Sequence, residues 1–207
     1  MGRLFTQFTE GGSFMWVILL VAAFAIAVML ERSFFVIFKS SINAKRFVGE
    51  LERLISNRNM EQAIALCNTS NSALAKVLRE VVKNHAGTGR DMQVAADAKT
   101  LEVLPELEKR TGYLDMLGQI ATLLGLLGTI SGLMMAFDAV SQASPEDAAA
   151  MLGKGIAAAM LTTMFGLVVA VPCIVVASII KAKTKKITNE IDMYTVQIST
   201  QITRMKG

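Results

Sequence analysis

The chain of 207 residues has one histidine, two cysteines, three prolines and one tryptophan. Cys67 and Cys173 have no His or further Cys at ligand spacing, so neither a metal site nor a disulfide framework is expected. Each reads as a small apolar packing residue. His85 stands at a helix end beside a glycine-containing loop and reads as solvated rather than as a proton shuttle. A sharper absence lies in residues 117–137, which carry no carboxylate, amine or imidazole. The glycine-rich piece from Gly125 to Gly132 also lacks the lysine of a phosphate-binding loop and does not follow a strand. No nucleophile, base and orienting group stand together anywhere. Enzymatic catalysis, a cofactor and a nucleotide site are therefore not expected.

What the chain has in excess is apolar length. Apolar residues make up 53% of it and the mean hydropathy is +0.47, which indicates an all-α membrane protein. Runs at 14–30, 117–137 and 155–180 are each long enough to cross a bilayer as helix. The first reads as a retained anchor, because Glu31-Arg32-Ser33-Phe34-Phe35 continues it as helix. Most Lys and Arg lie between residues 31 and 116 or in the tail, while the loop at 138–153 has acidic residues only. Basic flanks stay cytoplasmic, which puts the N-terminus and that loop outside. Lys181, Lys183, Lys185 and Lys186 follow the third run directly, with no interleaved aromatics. They suit a stop-transfer flank on anionic lipid headgroups, not nucleic acid.

Taken in order, the pattern gives an amphipathic outer segment at 1–12, spans at 13–36, 111–137 and 154–180, a cytoplasmic helical segment at 37–110, an outer loop at 138–153 and a cytoplasmic helix at 181–207. Leu4, Phe5 and Phe8 fall on one side of the outer segment, and Gly11-Gly12-Ser13 breaks it before Trp16 at the interface. In the cytoplasmic segment apolar residues recur at helical spacing without β alternation. Asn59 with Gln62 resembles a capping box, and Asp91 is placed to cap a helix that runs into the second span with a kink at Pro105. Ser144-Pro145-Glu146-Asp147 marks the next helix start. The apolar faces of this segment are expected to pack on each other, on inward extensions of the spans, or on other subunits.

Two seams of small residues organise the membrane part. In the second span, alternating steps of four and three give Thr111, Asp115, Gly118, Thr122, Gly125, Thr129, Gly132 and Ala136, with Gly128 beside them. The third span gives Gly155, Ala159, Thr162, Gly166, Ala170, Cys173 and Ala177, with Thr163 alongside. Such seams let backbones approach closely, or let a narrow wet path run beside the helix. Pro172 frees the Val168 carbonyl, so a kink or an interhelical hydrogen bond is expected there. The hydroxyls of Thr122, Thr129, Thr162 and Thr163 either bond back one turn and pack, or line that path. Hydroxyls relay hydrogen bonds but do not titrate near neutral pH, so a moving proton would need a carboxylate from a partner.

Leu124-Gly125-Leu126-Leu127-Gly128-Thr129, together with Ile156-Ala157-Ala158 and Thr162-Thr163-Met164-Phe165-Gly166-Leu167, resembles the two signature helices of the MotA/TolQ/ExbB proton-channel family. Three spans and the Glu31-Arg32 exit are similar to the ExbB and TolQ branches, with ATLLGLLGT nearer the first. This resemblance implies a pentamer around a dimer of an ExbD- or TolR-like single-span partner that carries an Asp. It further implies a proton-driven motor in the bacterial inner membrane acting on a TonB- or TolA-like protein, with Thr129 and Thr163 facing the pore. Many relatives have Glu where this chain has Ala158, which throws weight onto the partner's carboxylate. Two other classes compete: a structural scaffold whose seams only pack, and an autonomous transporter, against which the missing intramembrane charge argues.

Overall fold

The computed structural model describes residues 13–39 and 42–206, and among them every regular element is helical. The elements are α1 (Ser13–Ser33), a π-helical turn (Phe34–Lys39), α2 (Ala44–Ser56), α3 (Met60–Asn68), α4 (Ala73–Lys83), α5 (Gly89–Glu108), α6 (Thr111–Ser141) and α7 (Pro145–Arg204). The amphipathic segment and glycine turn expected at 1–12 lie outside the described residues. Among the described residues three stretches are long and apolar enough to cross a membrane: Ser13–Val36, Gly89–Ser141 and Pro145–Arg204. The chain divides into two compact units, Met1–Glu31 with Arg110–Ser178, and Arg32–Lys109 with Ile179–Gly207.

The first unit holds α1, α6 and the leading part of α7. Ala25 of α1 packs with Leu117 of α6 and Cys173 of α7, and Val21, Met29 and Val169 close around them. Large side chains elsewhere on these helices, such as Leu20, Leu123 and Met135, point outward, as expected where the surroundings are lipid. Ser144 caps α7 by accepting from the Asp147 N–H, and Pro145 takes the first helical position. Helical assignment runs uninterrupted through Pro172.

The second unit has an ordinary apolar core. Phe47, Val48, Leu51 and Ile55 of α2, Leu74, Val77, Leu78, Val81 and Val82 of α4, and Met92, Ala96, Val103 and Leu107 of α5 meet Ile187, Ile191, Ile198 and Ile202 of α7. The amphipathic faces thus cover one another and the part of α7 that follows its apolar run. Cys67 is part of this core, and burial, outweighing the charge of Arg79, pushes its thiol up to about 11. Asn43, Asn59 and Ser72 each accept a backbone N–H three residues on, at Arg46, Gln62 and Ala75, and so start α2, α3 and α4. Helix α5 is capped by Thr88, not by Asp91. Asp91 stands at the third helical position and accepts from the Thr88 N–H, completing a capping box. His85 lies one turn past the last buried valine of α4, with Nδ1 2.9 Å from the Val82 carbonyl oxygen.

The expected continuous helix into the second span is interrupted, and the break is not at Pro105. Proline sits in the last turn of α5, whose helix ends at Glu108, and Arg110 adopts φ 59 before α6 begins. A left-handed non-glycine residue costs about 1–3 kcal/mol and persists only where its surroundings hold it. In the first unit, Arg110 Nη1 lies 2.5 and 2.6 Å from the two Glu31 carboxylate oxygens. In the second, buried Arg32 donates through Nη2 to the Leu107 carbonyl and, at 3.4 Å, to that of Glu106. Those are last-turn carbonyls that a broken helix leaves without partners. The Phe35 ring lies 5.1 Å from the same guanidinium.

Candidate functional site: the paired small-residue helices

Within the membrane unit the two seams face each other. A Cβ built on Gly166 would come within 2.6 Å of the Ala121 carbonyl oxygen and 3.1 Å of the Gly125 Cα. One built on Gly125 would meet the Thr162 carbonyl oxygen and the Thr163 Cα, both at 3.1 Å. Only glycine allows this backbone contact, which is the close approach that small-residue interfaces use in lipid. Gly118 abuts Cys173 and Ile174, Gly128 abuts Thr162, Gly132 abuts Ala159, and Gly155 abuts Ala136. Pro172 is on the exposed side of α7.

The third-span seam is the contact line: Ala159, Thr162, Gly166, Ala170, Cys173 and Ala177 are all buried. The second-span line differs from the sequence pattern. It passes through Gly118, Ala121, Gly125, Gly128, Gly132 and Ala136, so Ala121 and Gly128 take the places assigned to Thr122 and Thr129. Thr122 is exposed and Thr129 half-buried. Steps of three and four can be entered at either of two adjacent residues, and packing chose the line with the smaller side chains.

Each of the four threonines donates its hydroxyl proton to a carbonyl. Thr122 donates to Gly118 at 3.0 Å and Thr129 to Leu126 at 2.6 Å, both back along their own helix. Thr162 is buried and donates to Ala159 at 2.7 Å, with Gly125 at 3.3 Å as a second acceptor. Thr163 donates across the interface to Gly125 at 3.1 Å. The Gly125 carbonyl, shared by both adjacent threonines, is a feature the sequence reading did not single out. Its only local signal is the Thr-Thr pair opposite a glycine.

Such hydroxyls keep their lone pairs for whatever enters beside them. Acting as acceptors, they can receive a hydrogen bond from a neutral carboxylic acid and offer none to a carboxylate. A groove of about 460 Å³ runs along the same helices, walled by the seam residues Gly128, Gly132, Ala159 and Thr162 together with Ser131, Ala158 and Lys154.

A sequence model of the MotA/TolQ/ExbB proton channel family matches residues 37–193, which include both seams. The chain belongs to that family. It is similar to an ExbB-like biopolymer transport protein of Synechocystis, 27% identical over 76% of this chain and 75% of that one. An ExbB homolog of Methanothermobacter thermautotrophicus is 24% identical over 92% of this chain and 66% of its own. The biopolymer transport protein ExbB of Salmonella typhimurium is 28% identical over 65% and 59%. The chain thus spans under two thirds of the length of the last two. Membership makes it a membrane protein of a proton-channel family, a class of transport subunits rather than catalysts.

Proposed function

We propose that this chain is the ion-conducting subunit of an inner-membrane, ExbB-type complex that turns a proton gradient into mechanical work on a TonB-like protein. The observation that carries this reading is a proton-channel family chain whose paired apolar runs, residues 117–137 and 155–180, hold no carboxylate, amine or imidazole. The titrating group then belongs to a partner: an ExbD- or TolR-like single-span protein whose Asp lies in a pore lined by Thr129 and Thr163. With their protons committed to carbonyls, those threonines accept from the neutral acid and favour protonation of a carboxylate passing between them. Several copies, five by analogy with the family, surround the partner. The N-terminus faces the periplasm and the basic segments face the cytoplasm.

The closed seam favours one competing reading, a scaffold in which every hydroxyl is spent on packing. Proton flux into proteoliposomes, with the single-span partner co-reconstituted, separates the two. Thr129→Val and Thr163→Val are expected to keep the assembly mass and lower flux. Undiminished flux from both variants, or flux without the partner, sinks the proposal.

A further inference from the structure

Away from the seams, the second unit holds a mostly polar cavity of about 120 Å³ where the turn after α3 meets α4 and α5. It has room for several waters, or for one compact group of a few heavy atoms. Lys76 and Arg79 of α4 and Lys99 of α5 bring three positive charges to its wall, and Glu102 and Glu106 of α5 bring two negative ones. Glu80 also faces Arg79, but it is shared with Lys83. The cluster thus keeps one positive charge in excess. The ion path uses none of these groups.

The two signs are not placed alike. Lys76 Nζ lies 3.7 Å from Glu106 Oε2, and Lys99 Nζ lies 2.7 Å from Glu102 Oε1. In both pairs the cation is the sheltered member: the Lys76 and Lys99 side chains are 32% and 18% exposed, those of Glu106 and Glu102 60% and 68%. The carboxylates stand toward solvent, and a pair with a solvated member holds weakly. At 3.7 Å the Lys76 contact is too long for a hydrogen bond. Among the described residues its ammonium donates to nothing else, so its protons are left over. Arg79 spends Nη1 on the Asn68 side-chain oxygen at 3.2 Å and Nε on Glu80. That leaves Nη2 and the Asn68 amide N–H groups as further donors on the same wall. Donors on two helices and a turn, with the positive charge sheltered, suit an oxyanion. A tetrahedral one has oxygens for all three directions, and two charges let it displace the solvated carboxylates.

We infer that this cavity binds a dianionic phosphate group, with Lys76, Arg79, Lys99 and Asn68 donating to its oxygens while Glu102 and Glu106 swing out to solvent. The site is independent of the proposed ion path. Inorganic phosphate is titrated calorimetrically into the full-length protein in phosphatidylcholine nanodiscs, at constant ionic strength set with chloride. One saturable site per chain is expected. Lys76→Gln and Lys99→Gln should each weaken it about tenfold. Glu106→Gln removes a competitor of the ligand and should tighten binding severalfold, which neither misfolding nor a purely bridging role of these ion pairs would produce. Phosphatidic acid added to the nanodiscs identifies the source: competition assigns the site to a lipid headgroup, and lack of competition assigns it to a soluble phosphate. No saturable binding at millimolar phosphate, unchanged affinity in both lysine variants, or weaker binding by Glu106→Gln overturns the site.

Discussion

In the membrane unit the α6–α7 contact is made mainly by Gly, Ala, Cys and Thr, with Ile174 against Gly118, and backbone meets backbone. In the second unit the contacts are made by Leu, Ile, Val, Phe and Met around a core that excludes water. The difference is the one that the proposed topology, first unit in lipid and second in water, brings about. Outside the membrane, burying apolar surface supplies about 25 cal/mol per Å². Inside it, lipid is as apolar as leucine, so helices associate by close packing and a few hydrogen bonds. Large side chains therefore point inward in one unit and outward in the other.

Substitutions at five positions and one labelling experiment break or sharpen that contrast. Leu78, fully buried in α4, should have the largest effect: Leu78→Ala is expected to cost about 2–5 kcal/mol in chemical denaturation. Gly166→Ala should cost about 1–3 kcal/mol by forcing a methyl onto the Ala121 carbonyl. Gly49 has nothing within 4 Å of its Cβ position, so Gly49→Ala should gain about 0.5–1 kcal/mol from helix propensity. A loss at residue 49 equal to that at 166 would erase the distinction between a contact glycine and a surface one.

Thr163→Val removes a cross-helix hydrogen bond while keeping shape, at about 0.6 kcal/mol, and Thr163→Ser should restore it in detergent melts. Smaller still is the contribution of Glu80. Burial raises its pKa, but hydrogen bonds and charge from Lys83 and Arg79 outweigh this and hold the carboxyl below its ordinary value. A lowered folded pKa stabilises above the ordinary carboxylate range, and that stabilisation is lost as pH falls through the lowered value. Glu80→Gln should therefore flatten the acid side of the stability profile and nothing else. Cys67, with its pKa near 11, should resist maleimide at pH 7 until the second unit unfolds.

Sequence pattern located the helices well because their causes are local. Asn59 and Ser144 announce helix starts with one side chain each, and 3.6-residue spacing marks the faces of α2 and α4. It misplaced features that depend on distant partners. Pro105 drew attention as the kink, yet the chain breaks at Arg110, where Glu31, far away in sequence, holds the guanidinium. The start of α5 was misplaced for a local reason: Thr88 and Asp91 can each cap, and Thr88 takes the cap position while the Asp91 carboxylate accepts from its N–H.

For the candidate site, the third-span line was legible because each of its steps falls on a small residue. In the second span small residues occupy adjacent positions, so Ala121 or Thr122, and Gly128 or Thr129, fit equally well. By itself the sequence determined that three helices are apolar and long enough to cross a membrane and that residues 117–137 and 155–180 hold no carboxylate, amine or imidazole. Both are properties of composition along a single helix. Tertiary structure decided which of two adjacent small residues faces the neighbouring helix, that Gly125 offers one carbonyl to two threonines, and that Lys76 of α4 and Lys99 of α5 line one cavity. Each depends on rotation about a helix axis, which no periodicity specifies and only packing against another helix sets.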